Sequence, residues 1–399
     1  MKILLIDDEP FILKLLARQL ANLGFTEVTC HQRAHDALAM LRSDAATPAL
    51  VFCDLQMPEM DGVELVRHLA RIEYAGGLVL VSGEDERILK TVKKLAKAHQ
   101  LNVLGALHKP VAPEQLRKIL GGQLSSGVTA SRSARRVYPA DELQRAIAGG
   151  ELVNYYQPKV ELISGAVAGV ETLVRWQHPQ DGLVLPDQFI TTAEEQGLID
   201  DLTRVVLTNA VRQMRLWQNM GLSLQVAVNV SMDNLVALEF PDWVARTANK
   251  AGLPLTSLVL EITESRLMKN PLAVLDILTR LRLKRIGLSI DDFGTGYSSL
   301  AQLRDIPFDE LKIDQGFVHG ACRDASLKAI VEASCGIARQ LGMKIVAEGV
   351  EDRADWNFLC AGDCDLAQGY FIARPMPAED LPDWMDDWDV RFQVLGESS

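Results

Sequence analysis

Acids recur at the ends of apolar runs along this chain. In Ile286-Gly287-Leu288-Ser289-Ile290-Asp291-Asp292, a β-like run stops at two adjacent carboxylates, and a glycine-punctuated loop, Phe293-Gly294-Thr295-Gly296, follows. Carboxylates at the exit of a buried strand are costly to desolvate unless a positive group meets them, and a divalent cation is the usual partner. Taken alone, the Asp pair reads as a turn with Asp292 as helix cap. It is not alone: Glu171, Asn229, Glu261, Lys312, Glu348 and Gln368 also sit on or just beyond apolar runs. Each one singly favours a structural role as cap, salt-bridge partner or turn former; jointly they favour a site. Carboxylates, an amide and a lysine suit the hard cations Mg²⁺ or Mn²⁺, and the absence of histidine from the set argues against zinc. Two adjacent aspartates let one carboxylate bridge two cations, the arrangement suited to in-line displacement at phosphorus.

A second set lies near the N-terminus. Asp7 and Asp8 follow one aliphatic run, Asp54 another, Ser82 a third and Lys109-Pro110 a fourth. Three carboxylates beside a lysine can hold one Mg²⁺ and present Asp54 as a nucleophile toward phosphorus. Lys109 and Ser82 would then bind the phosphoryl oxygens.

The elements that must position these groups follow from hydrophobic periodicity. Over residues 1–122, strands at Lys2–Ile6, Glu27–Cys30, Ala49–Cys53, Leu78–Val81 and Val103–Leu107 alternate with helices at Phe11–Leu23, Ala34–Arg42, Val63–Arg71, Asp85–Ala98 and Pro113–Leu120. Five βα units predict a doubly wound parallel sheet with its ligands at the strand C-termini. Residues 123–140, rich in Gly, Ser and Ala with Arg132, Arg135 and Arg136, read as a flexible linker. Residues 141–391 carry about eight further cycles, which predict a (β/α)8 barrel of TIM type. Its strands are read as Leu152–Gln157, Val167–Trp176, Leu224–Val230, Leu258–Thr263, Gly287–Asp292, Glu310–Ile313, Lys344–Glu348 and Leu366–Tyr370. Only a Ser164-Gly165 turn separates the first two, so they should pair as a hairpin and make one strand antiparallel. Trp384, Met385 and Trp388 predict a closing amphipathic helix.

Composition excludes several classes. A length of 399 residues suits two or three domains, and 48% hydrophobic content supplies ample core. The formal charge of −12 argues against coating DNA. No apolar run approaches the ~20 residues of a membrane helix, and the N-terminal run stops at acids, unlike a signal peptide. The six cysteines include no Cys-x-x-Cys and suit free thiols in a reducing cytoplasm, the expected location.

The first set, with Cys53-Asp54-Leu55-Gln56-Met57-Pro58-Glu59-Met60-Asp61-Gly62, resembles a response-regulator receiver domain (CheY-like) whose phosphoacceptor is Asp54. The resemblance implies phosphotransfer from a cognate sensor histidine kinase. Ala106 departs from it, standing where receivers commonly carry an aromatic switch residue.

The second region resembles EAL domains, which hydrolyse cyclic di-GMP to linear pGpG. The resemblance rests on Glu171-Thr172-Leu173-Val174-Arg175-Trp176, Tyr156-Gln157-Pro158-Lys159, Ala227-Val228-Asn229-Val230-Ser231 and Leu260-Glu261-Ile262-Thr263-Glu264-Ser265. Further matches are Asp291-Asp292-Phe293-Gly294-Thr295-Gly296-Tyr297-Ser298-Ser299-Leu300, Leu311-Lys312-Ile313-Asp314, Val346-Ala347-Glu348-Gly349-Val350-Glu351 and Gln368-Gly369-Tyr370. It implies that Glu171, Asn229, Glu261 and Asp291 hold one cation, and that Asp291 bridges to a second with Asp292. Glu348 would be general base on the attacking water, and Lys312 would orient that water or stabilise charge. Arg175 would bind phosphate and Gln157 contact substrate. Gln368 and Glu351 would support the site, and Glu264 would anchor the Phe293–Ser299 loop. Thr172 replaces the alanine of the motif, Gln315-Gly316 stands where Arg-Ser is common and Asp352 where Thr is frequent; none is an implied ligand. No Gly-Gly-Asp/Glu-Glu-Phe signature accompanies the set, so cyclic di-GMP synthesis is not expected.

The chain is thus expected to be a two-component response regulator: a cyclic di-GMP phosphodiesterase with two Mg²⁺ or Mn²⁺ in the barrel and one Mg²⁺ in the receiver. It should form a homo-oligomer, a dimer or larger, through the EAL domain. The alternatives are a catalytically silent cyclic di-GMP sensor and a signalling adaptor.

Overall fold

The computed structural model describes the chain except for residues 43–47, 84–85, 125–137, 264–270, 296–299 and 398–399. The expected anchor Glu264, most of the linker and residues 296–299 of the Asp-Phe-Gly loop lie outside the described residues. The chain divides into two compact units, Met1–Ser133 and Ala134–Ser399.

In the first unit, β1 (Ile3–Ile6), β2 (Val28–His31), β3 (Leu50–Asp54), β4 (Gly77–Ser82) and β5 (Asn102–His108) form one sheet in the order β2-β1-β3-β4-β5. All four pairings are parallel. The inner strands read as unbroken apolar runs because helices cover both faces. Leu4, Ile6, Val51, Cys53, Leu78 and Leu80 feed one core, while Ile3, Leu5, Leu50, Phe52, Val79 and Val81 feed the other.

In the second unit, β6 (Leu152–Glu161), β7 (Val167–His178), β9 (Gln225–Asn229), β10 (Leu258–Thr263), β11 (Gly287–Phe293), β12 (Glu310–Ile313), β13 (Lys344–Ala347) and β14 (Leu366–Ala367) close a barrel; β8 (Gly182–Val184) is added on β7. As expected, β6 and β7 form an antiparallel hairpin, and β6 also meets β14 antiparallel, so a single reversed strand closes the ring. The remaining barrel strands pair in parallel. The short β8, paired antiparallel with β7, was not expected from the sequence. The closing helix Leu381–Glu397 buries Trp388 completely, and the Trp388 indole donates to the Gly165 carbonyl at 2.8 Å in the β6–β7 turn.

Candidate active site

Strand register brings the polar side chains of the barrel together. Gln157 on β6 lies opposite Glu171 on β7, and Asn229 on β9 lies opposite Glu261 on β10. Paired neighbours point to the same face of a sheet, so these four share the barrel interior. Two residues along a strand return to that face, which adds Lys312 on β12 above Glu310.

Asp291 and Asp292 pose a different problem, because consecutive residues of a regular strand face opposite ways. The β11–β12 register shifts between Ile290 and Phe293, and Asp292 takes a left-handed backbone with φ of 55°. Such a bulge re-aims a side chain, and carboxylate oxygens of Asp291, Asp292 and Glu348 come within 4.8 Å of one another.

Lys312 is the hub. Its ammonium, 1% exposed, lies 2.7 Å from Glu348, 3.0 Å from Asp291, 3.2 Å from Glu261 and 3.4 Å from Glu171. The Asn229 amide donates to Glu171 at 2.9 Å, and Gln368 donates to both Glu171 (2.6 Å) and Gln157 (3.1 Å). A cavity of about 210 Å³ opens over this cluster, lined by Gln157, Glu171, Gln315, Glu348, Glu351 and Tyr370 among others. Arg175 lies outside that lining; its guanidinium packs over Tyr155 and donates to the Val174 carbonyl.

The electrostatics are those of a site short of positive charge. Burial, then the Asp291 carboxylate, pushes Asp292 up to about 6. Burial dominates at Glu348 as well; Asp291 and Glu171 raise it further against Lys312, and it stands at about 8. Glu261 is raised by burial and by Glu171. At Glu171 burial is outweighed by Lys312 and by the Gln368 hydrogen bond, and its carboxyl lies below the ordinary range. Oε1 of Glu261 is fully buried without a hydrogen-bond partner among the described residues, with Lys159 3.6 Å away. An all-oxygen donor set with raised carboxyls and an orphaned buried oxygen fits a hard divalent cation.

A second polar layer, not expected from the sequence, lies beneath this rim. Lys159 on β6 pairs with Glu310 on β12 at 2.8 Å, and the Ser289 hydroxyl donates to the same Glu310 oxygen at 3.0 Å. Both charges are buried, and Lys159 carries Coulombic support from Glu310 and Glu261 against its desolvation. Two-residue spacing held the signal: Gln157 and Lys159, like Glu310 and Lys312, must share a strand face.

In the first unit the expected set also converges. Lys109 lies 2.9 Å from Asp7 and 3.0 Å from Asp54, both buried, and oxygens of Asp7, Asp8 and Asp54 lie within 4.8 Å of one another. Burial raises Asp7 and Asp54, and their hydrogen bonds with Lys109 oppose it. Ser82 ends β4 fully buried, and the Lys109 amide donates to its carbonyl at 2.8 Å. Glu9, not foreseen, adds a third acid to Lys109 at 3.3 Å. Ala106 is half-buried and packs on the sheet core.

Comparison with known proteins finds a family for each unit. The EAL domain family model matches residues 140–375, and the response regulator receiver domain model matches residues 3–121. The cyclic di-GMP phosphodiesterase RocR of Pseudomonas aeruginosa is 31% identical over 391 residues, covering 96% of this chain and 98% of RocR. The bifunctional diguanylate cyclase/cyclic di-GMP phosphodiesterase MucR of the same organism is 45% identical over 319 residues, 80% of this chain; the match spans only 45% of MucR's length. A solved structure of the MucR phosphodiesterase in complex with cyclic di-GMP superposes with a TM-score of 0.58 at 45% identity, over 60% of this chain and 98% of that one. With an EAL match over more than half its length and an alignment to RocR from end to end, the chain belongs to the response regulators that carry an EAL domain behind a receiver.

Proposed function

We propose that this chain hydrolyses cyclic di-GMP to linear pGpG in its barrel, under the control of phosphorylation at Asp54. The observation that carries the reading is charge. Glu171, Glu261, Asp291, Asp292, Glu348 and Glu310 are six carboxylates in one cluster, set against the two ammonium groups of Lys312 and Lys159. The difference, 6 − 2, is a formal −4, which two divalent cations cancel. Two such cations, held by Glu171, Asn229, Glu261, Asp291 and Asp292, would polarise the phosphoryl oxygens and ease deprotonation of water. Mg²⁺ and Mn²⁺ both suit these ligands.

The protein's own groups supply the rest. Glu348, at the cavity wall and 2.7 Å from Lys312, takes the proton of the attacking water as general base. Lys312, 2.7 Å from Glu348, orients that carboxylate and stabilises charge that develops at phosphorus. Gln368 donates to Glu171 and to Gln157, and Gln157 in turn donates to the Ala373 carbonyl. Glu351 lines the cavity, and Arg175, on the Glu171 face of β7, would have to leave its place over Tyr155 to bind a phosphate. A neighbouring cavity of about 390 Å³ adjoins Asn229, with Leu173, Pro186 and Ile190 apolar and Thr172, Thr203 and Glu194 polar; it suits one guanine base.

The test is incubation of the full chain with cyclic di-GMP and Mg²⁺ or Mn²⁺, with products resolved by chromatography and mass. Linear pGpG is expected; unchanged cyclic di-GMP recovered from a protein that binds it would overturn the reading. Cation binding should itself release protons, because Asp292 and Glu348 stand raised in the cation-free site: Asp292 must ionise to ligate, and nearby cations favour the ionised form of Glu348. Affinity should therefore fall as pH drops through 8 toward 6. Calorimetric titrations with Mn²⁺ in buffers of different ionisation enthalpy check this.

In the receiver, one Mg²⁺ at Asp7, Asp8 and Asp54 would accompany phosphotransfer from a sensor histidine kinase, and Lys109 and Ser82 would bind the phosphoryl group. Beryllofluoride, which mimics an acyl phosphate, should change the hydrolysis rate of the natural chain and leave Asp54→Asn unaffected. Self-association through the barrel domain completes the proposal.

A further inference from the structure

Outside the cation cluster, one fully buried acid joins the two walls of the catalytic cavity. The segment Glu348–Glu351 follows β13, and the segment Asp314–Gly320 follows β12. The first contributes Glu348 and Glu351 to the cavity and the second contributes Gln315. Their backbones press together: a Cβ at Gly349, whose φ is +67°, would run into Gln315.

Asp355, 1% exposed in the first turn of the helix Arg353–Cys360, reaches both segments. Its Oδ2 accepts from the Glu351 amide at 3.2 Å and meets Nδ1 of His319 at 2.8 Å, and its Oδ1 accepts from the Gly320 amide at 2.9 Å. Helix capping does not account for it, because Asp352 already caps that helix by accepting from the Ala354 and Asp355 amides. A cation site does not account for it either. His319, Asp352 and Asp355 lie close enough to suggest one, but both oxygens of Asp355 are engaged and Asp352 pairs with Arg323 at 3.2 Å.

The structure assigns Asp355, together with His319, the role of a clasp that holds the Glu348–Glu351 and Gln315–Gly320 segments in register over the substrate. Asp355 is a positioning residue: it reaches the reacting atoms only through Glu351, Gln315 and Glu348. The cation ligands stand on strands it does not touch, so the clasp sets substrate geometry and leaves cation affinity alone. The charged groups facing His319 are Asp355, Glu351 at 3.8 Å and Asp352, and all three favour its protonated, doubly donating form.

This inference rests on the hydrolase reading above, and its test separates the two. Asp355→Ala and His319→Ala, each in the full chain, should lower kcat/KM for cyclic di-GMP by about 10- to 100-fold, the scale on which small misplacements act. Mn²⁺ affinity should stay at its natural value. His319→Asn, whose amide can donate from near the Nδ1 position, should restore most of the activity lost in His319→Ala. Amide hydrogen exchange at Glu351 and Gly320 should quicken in both alanine variants. Natural kcat/KM in His319→Ala, unchanged exchange, or a parallel loss of Mn²⁺ affinity would each overturn the clasp. If Asp355→Ala does not fold, His319→Ala and His319→Asn decide. If the natural chain does not cleave cyclic di-GMP, the hydrolase reading fails and the exchange rates alone judge the clasp.

Discussion

Glu348→Gln should yield a protein that still binds cyclic di-GMP and turns it over about 10²- to 10⁴-fold more slowly, the contribution expected of a positioned general base. Glutamine keeps the shape and can still accept from Lys312, 2.7 Å away, but it cannot take a proton from water. Turnover measured beside equilibrium binding of cyclic di-GMP separates lost chemistry from lost affinity; equal losses in both would remove Glu348 from the role of base. The substitution should also reshape stability in the cation-free protein. The Glu348 carboxyl stands at about 8 when folded, above its ordinary unfolded value, so the folded state holds its proton longer. Its ionisation in the fold is penalised, and stability falls as pH rises from near 4.5 to 8. Glu348→Gln should lose that part of the slope and be more stable than the natural chain at pH 8.5. Melting curves in chelator across this range give the sign directly.

Lys312→Met should be the most destabilising single change in the barrel. The ammonium faces Glu348, Asp291, Glu261 and Glu171 within 3.4 Å, and all four carboxylates stay behind when it goes. Removing one partner of a buried ion cluster costs about 3–5 kcal/mol, because the remaining charges are neither solvated nor paired. Hydrolysis should fall with it. Arginine should not rescue, since a planar fork cannot replace a compact ammonium among four converging acids. Divalent cations should restore more stability to Lys312→Met than they add to the natural chain, because they substitute for the missing charge. All six tryptophans, from Trp176 to Trp388, belong to the second unit, so indole fluorescence reports barrel unfolding without the receiver. A Lys312→Met barrel as stable as the natural one in chelator would contradict this account of the cluster.

Much of this architecture was legible in the sequence because its two periodicities are strong. Both sheets follow the apolar runs, and the rim residues were found by asking which acids end a buried strand. What escaped has a common cause: it depends on registers that one strand cannot reveal by itself. Lys159 and Glu310 find each other across the barrel only once the ring closes, 151 residues apart in sequence. The strand bulge that turns Asp291 and Asp292 to one side is invisible in composition. So is the reach of Asp355 to Gly320, which depends on where two loops settle. The strand β8 is three residues long, too short for alternation to register.

The reversed strand β6 has a consequence for how the barrel is wired. In an all-parallel barrel the chain would enter at the end opposite the carboxylates. Here Leu152, the first residue of β6, lies opposite Trp176 near the end of β7, so the chain enters at the reactive end. The helix Ala140–Gly149 that leads in is fastened there, with Glu142 2.9 Å from His178 on β7. Strand β7 also carries Glu171 and Arg175. The helix before the barrel is therefore tied, through Glu142 and His178, to a strand that carries part of the site.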